Sequence, residues 1–295
     1  MTHKTIAGYN LDEVFEQEEA RLKAERDAAE AKRRRQELEQ KRAERKPRLA
    51  PANHPLPVPP SLPPLTFSAD FQIENLPDRY RLHHVQYNNS VYVVDWKKEL
   101  LEQGAQKTQQ DWITATKKSE WKIPNLQLYH ATFRTLYQQR EHPMKKQNKM
   151  VEVLRQMFKT DFEPAEPYMM TSTRIKYAAD GQDMVTHDVG SAAARVLNVS
   201  LVVSLAGPIG WINASSGFEE QMDALLGSRD LAEIETVYNW ISGKKPYLYR
   251  LNQQPARVEE LAAVLRCGTS FNINGYNLIN CEGSSRGVVA SASKK

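Results

Sequence analysis

The hexapeptide THDVGS at positions 186–191 holds the residue types in this sequence that best suit catalysis. His187, Asp188 and Ser191 are the types found in a serine hydrolase triad, where an imidazole activates a hydroxyl and a carboxylate orients the imidazole. Adjacent strand residues point to opposite faces of a sheet, and Ser191 lacks the flanking sequence of a nucleophile elbow. These three residues are therefore candidates for a hydrolase or transferase site by type alone.

The strand that carries His187 is predicted from Asp180-Gly181, a favoured two-residue hairpin turn. With these residues at the centre of the turn, His187 pairs with Arg174. A permanent cation opposite the ring disfavours the imidazolium, which argues against a general acid at this position. The simpler interpretation is a strand end with a turn at Gly190, and we expect alanine at His187 to have a mild effect.

The sequence contains no motif typical of a metal site, a phosphate-binding loop or a cysteine nucleophile. The seven histidines are scattered, and the chain has no HExxH, no CxxC and no EF-hand loop. Residues 207–210 lack the spacing of a phosphate-binding loop and are predicted to form a turn. No local histidine accompanies Cys267 or Cys281, so neither is predicted to be a nucleophile. We therefore predict neither a metal nor a cofactor.

Residues 1–48 are predicted to form a charged helical arm. Asn10 and Glu13 have the spacing of a capping box, and no Gly or Pro follows until Pro47. The apolar heptad spacing typical of a coiled coil ends at Gln36, so the arm is not expected to form a self-sufficient coiled coil.

The two halves of the arm carry opposite charge. Residues 12–30 contain eight acids and three bases, whereas residues 32–48 contain nine bases and three acids. The candidate partner-binding residues are Arg33, Arg34, Arg35, Lys41, Arg42, Arg45, Lys46 and Arg48. We expect a protein partner, because the acidic half would repel a long polyanion lying along the helix; phosphates of a nucleic acid are the alternative. A solvated spacer is the plainest interpretation.

Residues 49–65 are predicted to be a Pro-rich linker. Eight of the 16 prolines fall between positions 47 and 64, a density typical of extended polyproline II. Two PxxP frames, at 57–60 and 60–63, could dock in an aromatic groove, although any proline-rich linker contains such frames by chance.

The composition points to a cytoplasmic protein without a membrane span. The longest apolar run, 199–212, is too short to cross a bilayer, and two cysteines are too few for a disulfide framework. A net charge of +4 is compatible with anionic partners without requiring them. Self-association is left open.

A globular α+β domain is predicted over residues 66–290, followed by a disordered tail at 291–295. The strand 196–205 is the most apolar on one side and is taken as the middle of the sheet. A hairpin is predicted over 79–87 and 91–95, with a short helix from Asp95 to Leu101. Further helices are predicted around Trp112, over 126–137 and 150–158, and after capping boxes at Ser216 and Asp230.

The last predicted hairpin turns at Asn274-Gly275, a pair typical of type I′ turns. This register places Phe271 beside Leu278 and Cys267 opposite Glu282, while residues 258–265 suit either a helix or a strand. The opposite face is then polar and amide-rich, suited to sugars, peptides or phosphates unless it is an ordinary hydrated face. Its predicted members are Ser270, Asn272 and Asn277, with Asn280, Ser284, Ser285 and Arg286 nearby.

These patterns predict an α+β fold: an antiparallel-rich sheet with helices packed on one side, preceded by the charged arm and the linker. The function they favour is that of a non-enzymatic adaptor or structural protein that joins partners through its arm and its globular domain. The alternatives are a nucleic-acid-associated protein that uses the basic half of the arm, and a hydrolase or transferase acting near residues 187–191 or 284–286.

Overall fold

The computed structural model of the chain divides into two compact units, residues 1–61 and 62–295. The structure describes residues 5–6, 9–10, 70–163, 168–177, 184–187, 210–249, 259–277 and 282–293. In the first unit, strand β1 (Thr5–Ile6) pairs antiparallel with β2 (Tyr9–Asn10). The predicted arm helix, the Pro-rich linker, the strand 196–205 and the turn at Asp180-Gly181 lie outside the described residues.

The second unit contains two β-sheets and five α-helices in its described part. Its strands are β3 (Ile73–Asn75), β4 (Arg79–Tyr87), β5 (Ser90–Leu100), β6 (Tyr168–Tyr177), β7 (Met184–Thr186), β8 (Gly210–Trp211), β9 (Pro246–Tyr249), β10 (Glu259–Cys267), β11 (Phe271–Asn277), β12 (Gly283–Ser284) and β13 (Arg286–Ala292). Its helices are α1 (Gln109–Thr116), α2 (Leu126–Gln138), α3 (Lys145–Phe162), α4 (Glu219–Leu226) and α5 (Leu231–Ser242), and a 3-10 turn spans Leu101–Gly104.

The smaller sheet has four antiparallel strands in the order β13-β5-β4-β3. The hairpin predicted between β4 and β5 is confirmed, and its turn residues Asn88 and Asn89 have the positive φ angles, 47° and 58°, of a type I′ turn. The helix predicted from Asp95 to Leu101 is wrong. Strand β5 continues to Leu100, because Trp96 is buried in the core and the chain beyond it pairs with β13.

The larger sheet has seven strands in the order β12-β6-β10-β11-β9-β8, with β7 also paired to β6. Four of its described pairs are antiparallel, while β12 with β6 and β11 with β9 are parallel. One face, the core face, carries Ala263, Leu265, Phe271 and Ile273, which join the main hydrophobic core. Residues that alternate with these four lie on the opposite face, which we call the outer face.

The main core lies between the core face, the smaller sheet and helices α2 to α5. Its largest buried side chains include Trp96, Tyr129, Phe133, Phe158 and Tyr238, whose rings contact one another edge to face or tilted. The predicted cap of α5 is confirmed, because the Asp230 carboxylate accepts the Glu233 N–H at 2.9 Å. The predicted cap at Ser216 is wrong, since α4 begins after Phe218 and the Ser216 hydroxyl donates to the Asn213 carbonyl.

A second, smaller core covers part of the outer face. Trp112 of α1 packs there with Met170, Ala262 and Val264. The prediction that helices pack on one side of the sheet is therefore wrong for α1. This helix packs on the outer face because β6 and β10 carry apolar side chains there, which Trp112 buries.

The hairpin predicted at Asn274-Gly275 is wrong, because β11 runs straight through these two residues. The chain turns earlier, over 268–270, so that Cys267 pairs with Phe271 and Leu265 with Ile273. Residues 259–267 form strand β10, which settles the choice left open between helix and strand. Gly275 lies close to Leu261, and a Cβ at this position would lie 3.0 Å from a methyl carbon of that leucine.

Candidate binding face

His187, the leading catalytic candidate, lies buried at the end of β7. Strand β7 pairs with β6 so that Thr186, not His187, stands opposite Arg174, and the predicted register is wrong by one residue. The imidazole instead lies between two structural partners. Its Nδ1 is 2.9 Å from the Thr173 hydroxyl, and its Nε2 is 2.9 Å from the Ala224 carbonyl oxygen.

These two contacts set the tautomer of the neutral ring. A carbonyl oxygen only accepts, so Nε2 carries the hydrogen, and in that tautomer Nδ1 accepts from the Thr173 hydroxyl. Both ring nitrogens of His187 thus form hydrogen bonds that join β6, β7 and α4. The lone pair of Nδ1 points at the Thr173 hydroxyl. Asp188 and Ser191 lie outside the described residues, as do Arg33, Arg34, Arg35, Lys41, Arg42, Arg45, Lys46 and Arg48.

The other nucleophile candidate, Cys267, is buried against the core. Burial raises the pKa of its thiol above the ordinary value, which favours the unreactive protonated form. The prediction that Ser284, Ser285 and Arg286 belong to an exposed polar surface is wrong, since all three are buried.

The outer face of the larger sheet carries a row of large polar and aromatic side chains across five strands. On β10, Arg266 pairs in register with Asn272 of β11; Asn272 pairs with Tyr247 of β9, and Tyr247 with Trp211 of β8. At the other end, Arg266 donates to the Tyr168 hydroxyl of β6 at 3.2 Å. We call Tyr168, Arg266, Asn272, Tyr247 and Trp211 the cross-strand row.

A second level of the same face continues the pattern one strand step away. Asn274 and Tyr249 are in register with each other and follow Asn272 and Tyr247 by two residues. The indole of Trp211 is 48% exposed and Tyr249 is 43% exposed, whereas Asn274 is only 5% exposed. Exposed aromatic rings at the edge of the sheet thus lie next to the buried amide of Asn274 in its middle.

Two buried polar atoms of this face make no hydrogen bond. They are Nε of Arg266 and the side-chain oxygen of Asn274, one a donor and the other an acceptor. The two residues are diagonal neighbours, because Arg266 pairs with Asn272 and Asn274 lies two residues further along β11. Leaving a buried polar atom unpaired costs about 1–3 kcal/mol. Eight further buried side-chain atoms among the described residues are also unpaired, several of them in the main core, so these two atoms do not by themselves identify a binding site.

The cross-strand row carries positive charge from Arg266 and contains no acidic side chain. Among the described residues, no carboxylate forms an ion pair with Arg266, whose guanidinium lies 5.2 Å from the centre of the Tyr168 ring. Lys244 and Lys245 are exposed just before β9, and Lys245 contacts Glu235 at 3.4 Å. The described part of the chain groups no three His, Cys, Asp or Glu side chains as a metal site would, and none of its helices has the length and apolarity to span a membrane.

The sequence predicts only some of the residues on the outer face. Asn272 lies on the polar outer face, as the sequence predicts. Asn274, placed in a turn, was missed, and Trp211 was not assigned to a strand. The polar–apolar–polar alternation of Asn272, Ile273 and Asn274 is typical of a strand. The turn preference of Asn274-Gly275 favours the opposite interpretation.

Comparison of the chain with models of protein families, with curated protein sequences and with solved structures gives no significant match.

Proposed function

We propose that the protein is a non-enzymatic binding or adaptor protein, which joins partners through its charged arm and through the outer face of its globular domain. The observation that carries the proposal is the cross-strand row, with an exposed Trp211 at one end and, beside its other end, Arg266, a cation without a carboxylate partner among the described residues. Exposed aromatic rings and a guanidinium on the same face supply contact area and a charged hydrogen-bond donor.

The surroundings of His187 support a binding role over catalysis. Its two ring nitrogens bond to Thr173 and Ala224 within the fold, so using either one for proton transfer would break a buried structural contact. A general base needs a lone pair within reach of substrate, which this ring does not offer in the observed arrangement.

The proposal is tested by affinity capture with three forms of the full-length protein. One is unchanged, one carries Trp211→Ala with Tyr247→Ala, and one carries Arg33→Glu, Arg34→Glu and Arg35→Glu. An adaptor with two separate surfaces should lose one set of partners with the row variant and a different set with the arm variant.

The matched control is Met144→Ala, which truncates another exposed apolar side chain, 53% accessible, away from the outer face. It should retain every partner. If both test variants retained every partner as well, or both lost the same set, the adaptor proposal would be wrong.

A further inference from the structure

We propose that the ligand of the outer face is single-stranded nucleic acid, lying across the strands along the cross-strand row. This inference rests on the proposed function, because it names the ligand class of the same face. Three features of the row carry it: exposed aromatic rings at one end, a cation without a carboxylate partner among the described residues, and the partly exposed amide of Asn272 between them.

Aromatic side chains cluster at the β8–β9 end of the row. Trp211 and Tyr247 pack edge to face with their ring centres 5.1 Å apart, and the Tyr247 ring is 6.4 Å from that of Tyr249. Two of the three are more than two-fifths exposed. Sheets that bind single-stranded nucleic acid use such side chains to stack two or three bases, and every base offers a face for this contact.

The charge of the row favours an anionic ligand over a neutral one. Arg266 stacks on Tyr168 and has no carboxylate partner among the described residues. The row itself contains no acidic side chain. A neutral glycan would use the aromatic rings but leave this positive charge uncompensated, whereas a phosphodiester would neutralise it.

A partly exposed amide lies next to the exposed rings. Asn272 is in register with Tyr247, and its amide nitrogen can donate to a carbonyl at the edge of a base stacked on that ring. Tyr249, two residues further along β9, supplies a further exposed ring.

The dimensions also agree with a short stretch of single strand. Five strands about 4.8 Å apart give the row a length of about 19 Å. That length accommodates about the two or three bases that a comparable sheet surface holds. Duplex nucleic acid keeps its bases stacked inside the helix, so it cannot use these rings.

The experiment measures fluorescence anisotropy of labelled ten-nucleotide oligo(U) and oligo(dT), and of a duplex of equal length, with the full-length protein in about 150 mM salt. We expect the single strands to bind more tightly than the duplex. Trp211→Ala and Tyr247→Ala should each weaken single-strand binding about tenfold, the effect of losing one stacked base. Arg266→Gln should lower the slope of log affinity against log salt by about 0.7.

Two controls separate the row from the rest of the chain. Arg155→Gln removes another stacked guanidinium, 5.1 Å from the Trp240 ring, and should leave binding unchanged. The triple change of Arg33, Arg34 and Arg35 to Glu should leave the tenfold effect of Trp211→Ala intact, even if it lowers overall affinity. Melting temperatures of all variants should confirm folding.

Absence of single-strand binding, or binding that the Trp211 and Tyr247 variants do not weaken, would overturn this inference. Equal affinity for duplex, with equal sensitivity to the row variants, would overturn it too. If affinity capture still showed partners lost with the row variant, and those partners were proteins or glycans resistant to nuclease, the ligand class would be wrong while the proposed binding function stood.

Discussion

The guanidinium of Arg286 grips the carboxylate of Asp161 in the interior of the domain, with Nε 2.6 Å from one oxygen and Nη2 2.5 Å from the other. Its Nη1 also donates to the backbone carbonyls of Lys97 and Lys98. This one side chain therefore connects β13, the end of β5 and helix α3.

Arg286→Met is expected to destabilise the protein by about 3–5 kcal/mol, because it leaves the Asp161 carboxylate buried without its cation. Urea unfolding at neutral pH measures the change. The double variant Arg286→Met with Asp161→Leu should lose less than the single one, since no buried charge remains.

Arg134→Met is the matched control for that pair. Arg134 contacts Glu233 at 2.9 Å on the surface, and the loss there should stay below about 1 kcal/mol. Equal costs for the buried and the surface pair would contradict the assignment of Arg286 as the central connection.

Stability should fall as pH drops, because His130 is buried without hydrogen-bond partners for either ring nitrogen. Burial, helped by the nearby charge of Arg134, lowers the pKa of His130 to about 3, against about 6.5 in an unfolded chain. Between these values the unfolded state binds the proton and the folded state does not. The free energy of unfolding should therefore decrease below pH 6.5, by up to about 1.4 kcal/mol per pH unit.

His130→Phe isolates this contribution, since the ring stacks on Tyr238 at 5.8 Å and phenylalanine can keep that contact. The variant should show a shallower dependence of unfolding free energy on pH between 6.5 and 5, where few carboxylates titrate. An unchanged slope would mean that His130 takes up a proton in the folded state.

His187→Ala should cost about 1–3 kcal/mol, which revises the mild effect expected from the sequence. Truncation leaves the Thr173 hydroxyl and the Ala224 carbonyl without the ring that bonds them. His83→Ala, which removes a partly exposed ring beside Glu74, should cost less than about 1 kcal/mol. Thermal unfolding of the two variants side by side distinguishes them, and a harmless His187→Ala would argue against the structural role.

Gly283→Ala should destabilise the protein by about 1–3 kcal/mol, because a Cβ at this position would clash with the backbone carbonyl of Tyr168. Gly283 also exchanges two backbone hydrogen bonds with Lys107, so the strand cannot easily shift away. Gly268→Ala is the control, since a Cβ there meets nothing within 4 Å. Similar melting temperatures for the two variants would show that β12 can move.

Turn and capping residues predict an element correctly where the packing around that element favours the same structure. The β4–β5 hairpin follows from apolar strands on either side of Asn88-Asn89, and α5 follows from the Asp230 cap with Gly243 at its end. Asn274-Gly275 carries an equally strong turn signal, yet the pairing of β10 with both β6 and β11 overrides it. A local preference of about 1 kcal/mol cannot outweigh a row of strand pairs and a packed core.

The outer face could not be derived from the sequence because it depends on register between distant strands. Trp211 and Tyr247 meet only through the pairing of β8 with β9, and Tyr247 meets Asn272 only through a parallel pairing that no turn specifies. Alternation within one strand identifies a face, but the neighbours on that face are fixed by the sheet order.

The pairing of β13 with β5 also constrains the order of folding. Arg286 bonds to the carbonyl of Lys97, 189 residues away along the chain, so the smaller sheet is complete only after a very long loop has closed. Contacts of such sequence separation form late and slow the search for the native state. Until they form, the edge of β5 from Tyr92 to Leu100 has no neighbour on that side, and a second unfolded molecule could pair with it. The refolding yield should therefore fall as protein concentration rises.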